Sequence, residues 1–160
     1  MSTKKIMYGI VGFIIGVIVM GLVAYSSASD IMIVENESKY GFEETIEKIQ
    51  QTSAEKGWKI PAVHRIDKAV NKAGYHSLPV AVIELCKPSH AANVLENDDD
   101  KVVTSMMPCR VSVYKTKAGK VIVSRMNTGL VSKVFSETVA ETMEAATLDT
   151  EEIFDVVIKK

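Results

Sequence analysis

The pattern of hydrophobic and polar positions contains two apolar stretches in the middle of the chain. They cover residues 78–86 and 106–114 and are rich in valine and isoleucine, which suit the half-buried surface of a sheet. A polar segment separates them, so we expect two antiparallel strands. Cys86 closes the first stretch and Cys109 lies near the start of the second. Antiparallel pairing would place these ends side by side.

A helical pattern precedes these strands. Apolar residues recur at helical spacing between glutamates and lysines, which predicts an amphipathic helix over 42–56. Its apolar face consists of Phe42, Ile46 and Ile49. Gly57 follows, where a glycine ends many helices. Strands are expected on either side, over 31–38 and 58–66, and Pro61 indicates that the second of them lies at an edge of the sheet or is irregular.

Short helices are predicted around the central strand. Asp67 is a candidate cap for a helical turn through 71, and Ser89 is a candidate cap for a helix that ends near 96. Residues 97–100, an asparagine and three aspartates, predict a solvated loop. They lack the ligand spacing of a calcium-binding loop.

The last third of the chain predicts a hairpin followed by helices. The strands 106–115 and 120–125 flank a turn with a glycine at position 119. Ser136 is a candidate cap for the next helix, and Thr147 or Asp149 could cap a last one. Mixed strands and helices with mostly antiparallel connections indicate an α+β fold, with one sheet covered by helices on one face.

The N-terminal segment has a different character. Residues 6–25 carry no charge, and a helix of this length crosses a hydrocarbon core of about 30 Å. Lys4 and Lys5 precede the run and Lys39 is the next basic residue, so the positive-inside rule leaves the N-terminus in the cytoplasm. We therefore predict a cytoplasmic segment 1–5 and a single-pass inner-membrane anchor.

The rest of the chain is then predicted to be exported. A linker over 26–30 would lead to a domain over 31–160, in the periplasm or the extracellular space. The alternative is a cleaved signal peptide, because the small residues 26–28 suit a signal peptidase. The apolar run exceeds the usual length of a signal sequence, which favours a retained anchor.

Composition narrows the function classes. The formal net charge of the 160 residues is −1, which argues against a nucleic-acid-binding protein, because that class shows a basic face. Two cysteines are too few for a disulfide scaffold. We also find no nucleophile–base set and no carboxylate pair at a motif spacing, so catalysis is not predicted.

Four sequence segments together resemble a known family. They occur in order and at a characteristic spacing, and they read Gly57-Trp58, Glu84-Leu85-Cys86-Lys87-Pro88, Met107-Pro108-Cys109-Arg110-Val111 and Arg125-Met126-Asn127-Thr128-Gly129-Leu130. Over about 33–154 the chain resembles the bacterial and archaeal family called domain of unknown function 302. The resemblance implies a curved antiparallel sheet with helices on one side, similar to the TATA-binding protein, and a homodimer. The family has no established activity, and its many soluble members lack a membrane anchor.

Cys86 and Cys109 are the main candidates for chemistry. Outside the cytoplasm adjacent cysteines normally oxidise, so a disulfide is expected, with Cα atoms about 4.4–6.8 Å apart. A redox-active or metal-binding thiol pair is the alternative. His90, Met106 and Met107 would then add the nitrogen and sulfur ligands that Cu(I) prefers.

The remaining candidates are basic. Arg110 and Arg125 lie on neighbouring strands of the predicted hairpin and could form an anion site, although ion pairs with Glu84 or surface carboxylates would also explain them. His64 and His76 are isolated and are interpreted as surface or strand residues.

Three functions remain open on the sequence alone. The first is a membrane-anchored binding or accessory module, acting as a homodimer or in a membrane complex. The second is a thiol-redox or sulfur-handling protein that uses the two cysteines. The third is a copper or haem carrier. No cofactor can be named from the sequence.

Overall fold

The computed structural model describes residues 3–159, which form two compact units. The first unit ends at Met32 and the second begins at Ile33. The first consists of one helix, and the second is an α+β domain with a five-stranded antiparallel sheet. The predicted fold class is therefore confirmed at the level of architecture.

Helix α1 spans Thr3–Met32. Its segment Met7–Ala28 has a mean hydropathy of 2.5 and none of it is buried. It is long and apolar enough to cross a membrane, and a signal sequence has the same properties. The helix continues through 26–30, where a linker was predicted. The Ser26 hydroxyl donates to the carbonyl of Val23 at 3.0 Å, so this polar residue finds its partner within the helix.

The sheet of the second unit has the strand order β1-β5-β4-β3-β2, and all neighbouring strands are antiparallel. Strand bounds are β1 Ile33–Glu37, β2 Val63–Arg65, β3 Val80–Leu85, β4 Cys109–Lys115 and β5 Val121–Met126. Pro61 precedes β2, which lies at an edge as predicted, because a proline cannot donate to a neighbouring strand. The hairpin between β4 and β5 turns at Gly119, whose φ of 84° favours glycine.

Helices cover one face of the sheet. The remaining helices are α2 Phe42–Glu55, α3 Ile66–Lys72, α4 Pro88–Leu95, α5 Thr128–Val131 and α6 Glu137–Phe154. Alternate residues of β3, β4 and β5 are buried and form one core with α2 and α6. Residues of the opposite face, such as Val82 and Ile122, remain half-exposed. This alternation is what the period of two along a strand requires.

The ends of several helices differ from the prediction. Ser136 caps α6 as expected, because its hydroxyl accepts from the amide of Val139 at 3.2 Å. Asp67 lies inside α3 and pairs with Arg65, and Ser89 lies inside α4, which follows the cap position Lys87.

The C-terminal part of the chain is one helix rather than two. Helix α6 runs through Thr147 and Asp149 without a break. The hydroxyl of Thr147 donates to the carbonyl of Met143 at 2.8 Å, so this residue is satisfied within the helix. The predicted loop 97–100 instead leads into a 3₁₀ helix, Asp99–Met106.

Candidate functional site

The larger pocket of the α+β domain, called here the arginine pocket, has a volume of about 220 Å³. It lies where β4 and β5 meet α6, beside the end of the 3₁₀ helix. Its lining residues are Leu85, Ser105, Met106, Pro108, Cys109, Arg110, Arg125, Met126, Thr128, Thr147, Thr150, Glu151 and Phe154. Charged and hydroxyl side chains thus alternate with apolar ones around the cavity.

Arg125 is a buried cation on the wall of this pocket. Its side chain is only 7 % exposed, and it donates two hydrogen bonds to Glu151 and one to the side-chain oxygen of Asn36 at 2.8 Å. The guanidinium carbon lies 4.9 Å from the ring centroid of Phe154. Burial of a charge requires this kind of pairing, so Arg125 has a structural role.

Arg110 is the more accessible of the two arginines. Its side chain is 53 % exposed, and its Nη2 lies 3.5 Å from Oε1 of Glu84. The same carboxylate oxygen is 3.2 Å from Nε2 of His64. His64, Glu84 and Arg110 thus form a polar row across β2, β3 and β4. The predicted ion pair between Arg110 and Glu84 is present.

The arginine pocket brings both predicted anion-binding residues to one place. Each arginine has a carboxylate partner, Glu151 for Arg125 and Glu84 for Arg110. Only Arg110 keeps an exposed guanidinium that a ligand can reach. The arrangement suits a ligand with one negative charge that bonds to Arg110, since a guanidinium can bind a carboxylate through two hydrogen bonds.

A second pocket lies on the other side of Cys109 and is called here the thiol pocket. Its volume is about 30 Å³. Its lining residues are Trp58, Leu85, Cys86, Lys87, His90, Ala91, Val94, Met107, Pro108, Cys109, Thr142, Met143 and Ala146. Leu85, Pro108 and Cys109 belong to both pockets. Both cysteines and His90 therefore lie at one small, mostly apolar site.

The disulfide that the sequence favours is not formed, because Cys86 and Cys109 are both free thiols. The reason lies in the register of the strands. Cys109 is opposite Leu85 in the β3–β4 pair, while the backbone of Cys86 bonds in the other direction, to Lys59. Cys86 is therefore not the direct cross-strand partner of Cys109, although both side chains line the same pocket.

The thiol of Cys109 is held in its protonated form. Burial raises its pKa above the ordinary value of 9.0, and the nearby thiol of Cys86 acts in the same direction. Because the thiolate is the nucleophile, this shift lowers the reactivity of Cys109.

A group of charged side chains lies beside the thiol pocket. Asp149 accepts hydrogen bonds from Lys87 and from Nε2 of His90, the latter at 3.0 Å. Lys87 lowers the pKa of Asp149 below its ordinary value, partial burial opposes that shift, and His90 adds to it. His90 is therefore oriented by a carboxylate.

Trp58 forms part of the wall of the thiol pocket. It is 3 % exposed, and the centroid of its ring lies 5.8 Å from that of His90. Within residues 3–159, the buried Nε1 of Trp58 has no hydrogen-bond partner. A buried donor without a partner costs free energy, so a ligand that accepts from it would gain stability.

The structure does not bring all the predicted metal ligands to one pocket. Met107 lines the thiol pocket, whereas Met106 lines the arginine pocket. Among the residues that the structure describes, no group of three or more His, Cys, Asp or Glu side chains could hold a metal ion. His64 and His76 are exposed, as their interpretation as surface residues anticipates.

The sequence analysis did not identify three residues of these sites as functional candidates. Asp149 and Glu151 lie in α6, far along the chain from Lys87 and Arg125, and their spacing matches no local motif. Trp58 was quoted only as part of a family motif. A buried basic residue needs a carboxylate partner, which is the one signal that could have pointed to an acidic residue beside Arg125.

Comparisons with known proteins agree with this architecture. Residues 34–157 match the family model described as "Domain of unknown function DUF302". The chain is similar to a solved structure described as an uncharacterized conserved protein DUF302 from Bacillus stearothermophilus, with a TM-score of 0.71 and 19 % sequence identity. The match covers 78 % of this chain and 97 % of that one. No curated protein matches the chain significantly.

Proposed function

The chain belongs to the DUF302 family, and we propose that it is a membrane-tethered binding module without catalysis of its own. The observation that carries this proposal is the arginine pocket, a cavity of about 220 Å³ beside the exposed guanidinium of Arg110. The ligand is a small molecule with one anionic group and an apolar body. Arg110 bonds the anion, and the methionine and threonine side chains of the wall pack against the rest.

Helix α1 supports the tether. Its segment Met7–Ala28 can cross a bilayer, and Lys4 and Lys5 lie at its N-terminal end. In the proposed topology the N-terminus is cytoplasmic and the α+β domain lies outside the inner membrane, since basic residues favour the cytoplasmic side. The binding site then faces the periplasm or the extracellular space.

The open face of the sheet supports a partner. Half-exposed apolar residues such as Val82 and Ile122 lie there beside the polar row of His64, Glu84 and Arg110. An apolar surface of this kind is stabilised when a second chain covers it. The proposed assembly is a homodimer, and a partner within a membrane complex is the alternative. Light scattering on detergent-solubilised protein distinguishes the two.

Binding of defined anions tests the main proposal. Benzoate and benzamide have similar shapes and differ in charge, and calorimetry with the full chain in detergent measures their affinities. Benzoate should bind more tightly than benzamide. Arg110→Gln should abolish that difference, because it removes the accessible charge.

Two matched variants serve as controls. Lys115→Gln removes a charge from an exposed position of β4 outside the pocket and should leave binding unchanged. Ser105→Trp fills the pocket from an exposed lining position, whereas Thr104→Trp places the same ring outside the lining. Equal binding of benzoate and benzamide, or binding that survives Ser105→Trp, would contradict the proposal.

A further inference from the structure

The thiol pocket is too small for an ordinary organic ligand. Its volume of about 30 Å³ is on the order of the space that one water molecule occupies in the liquid. The walls are formed chiefly by apolar groups, among them Trp58, Val94, Met107 and Met143. A single apolar, polarisable atom fits these walls better than water, which requires two to four polar partners.

Two thiols border this volume. Cys86 and Cys109 both line the pocket, and both are free. Cys86 is half-exposed, so a reagent can reach it from solvent. Cys86 is followed by Lys87, the cap position of α4, and His90 lies in the first turn of that helix. Lys87 and His90, which are both bonded to Asp149, thus lie beside this thiol.

We propose that the thiol pocket receives one sulfane sulfur atom, which Cys86 carries as a persulfide. The substrate class is a low-molecular-weight persulfide, R–S–SH. This site is separate from the anion site at Arg110 and does not depend on it. The pocket then accommodates the terminal sulfur of Cys86–S–S⁻ between the indole of Trp58 and the thioethers of the wall.

The transfer balances without an external oxidant. The thiolate of Cys86 attacks the terminal sulfur of R–S–SH, and the bond between the two donor sulfurs breaks. The new bond joins that terminal sulfur to Cys86. The electron pair of the broken bond goes to the donor thiol, R–SH, which leaves with the proton of the terminal sulfur. The charge remains on the protein-bound persulfide.

The persulfide would persist only if Cys109 does not attack it. A thiolate at Cys109 could attack the inner sulfur, form a Cys86–Cys109 disulfide and release hydrosulfide. Two features oppose this reaction. Burial raises the pKa of Cys109 and favours its thiol form, and Cys109 lies opposite Leu85 rather than Cys86 in the strand pair. Two adjacent free thiols are consistent with a carrier rather than a disulfide.

Mass spectrometry of the full chain tests the proposal. The detergent-purified protein is treated with glutathione persulfide, freed of excess reagent and analysed without reductant. We expect the mass of one added sulfur atom, and peptide mapping should locate it on Cys86. Cys109→Ser should keep the gain and Cys86→Ser should lose it. No gain, or sulfur found on Cys109 or divided equally between the cysteines, would overturn the proposal.

Substitutions of two neighbouring alanines distinguish sulfur binding in the pocket from general reactivity of an exposed thiol. Ala91 lines the thiol pocket, whereas Ala92, next to it on α4, is exposed and does not. Ala91→Met should fill the pocket and abolish the gain of sulfur, and Ala92→Met should behave as the natural chain. Equal labelling of both variants would refute the pocket as the site of the sulfur. If Ala91→Met does not fold, peptide mapping of the natural chain still decides.

Discussion

Arg125 on β5 and Glu151 on α6 are joined by two parallel hydrogen bonds, from Nε to Oε1 at 2.7 Å and from Nη2 to Oε2 at 2.6 Å. The pair links the sheet to the helix that covers it. The arginine is buried while the glutamate is 42 % exposed, so the carboxylate compensates the cost of burying a guanidinium. The pair therefore supports the wall of the arginine pocket.

Removal of the carboxylate should destabilise the domain. Glu151→Ala leaves the guanidinium of Arg125 without its main partner, and we expect a loss of about 2 kcal/mol in the free energy of unfolding. The chain has one tryptophan, Trp58, which is buried, so its fluorescence follows unfolding in denaturant.

The adjacent residue is the matched control. Glu152 forms an ion pair with Lys56 at 2.5 Å on the surface, and exposed pairs of this kind contribute about 0–1 kcal/mol. Glu152→Ala should therefore change the free energy of unfolding by less than Glu151→Ala does. Equal losses would contradict a special role for the buried pair.

The interaction of Asp149 with Lys87 should depend on pH. The pKa of Asp149 is below its ordinary value of 3.8 in the folded protein. The carboxylate therefore stabilises the folded state above pH 3.8, and this contribution is lost as the pH falls through the folded pKa. Asp149→Asn should be less stable than the natural chain at neutral pH, and the difference should close below pH 3.8.

Lys87→Met provides the comparison for this pH dependence. It removes the group that lowers the pKa of Asp149 most. In its background the further change Asp149→Asn should alter stability less than it does in the natural chain, as a double-mutant cycle would detect. A difference that persists unchanged in acid would show that the carboxylate acts through packing and not through its charge.

The two faces of β3 should respond differently to truncation. Ile83 has no exposed surface and belongs to the core, whereas its neighbour Val82 lies half-exposed on the opposite face. Ile83→Ala should cost about 2–5 kcal/mol in the free energy of unfolding, since it leaves a cavity. Val82→Ala should cost less, about 1 kcal/mol, because the side chain is already partly exposed. Similar losses would mean that the open face is also buried in the assembly.

The N-terminal helix should remain part of the mature protein. Its apolar run exceeds the length of a typical signal sequence, so we expect the intact mass of membrane-extracted protein to include Lys4 and Lys5. An amine reagent that cannot cross the inner membrane should label lysines of the α+β domain when it is added from outside. A mature chain that begins at Ser29 would show that a signal peptidase cleaves it.

The sequence predicts those parts of the fold that depend on local patterns. The alternation along β3 and β4, the helical face of Phe42, Ile46 and Ile49, and the positive φ of Gly119 all follow from short-range rules. The error at Thr147 is instructive. A threonine suggests a cap, but its hydroxyl bonds to a carbonyl of its own helix.

The site depends on relations that a single sequence does not encode locally. Both cysteines and His90 were identified as candidates, and the structure brings them to one pocket. The expected disulfide is absent, since both cysteines are free and Cys109 lies opposite Leu85. The partners Asp149 and Glu151 lie on a helix whose position on the sheet depends on packing of the whole domain.

The wall that the two pockets share has a thermodynamic consequence. Leu85, Pro108 and Cys109 line both cavities, so a change in the position of the Cys109 side chain alters both volumes at once. If occupancy of one cavity moves this side chain, the affinity of the other cavity changes by a coupling free energy, and linkage requires that energy to be the same in both directions. An anion that tightens the hold on sulfur would itself be held more tightly by the sulfur-loaded protein.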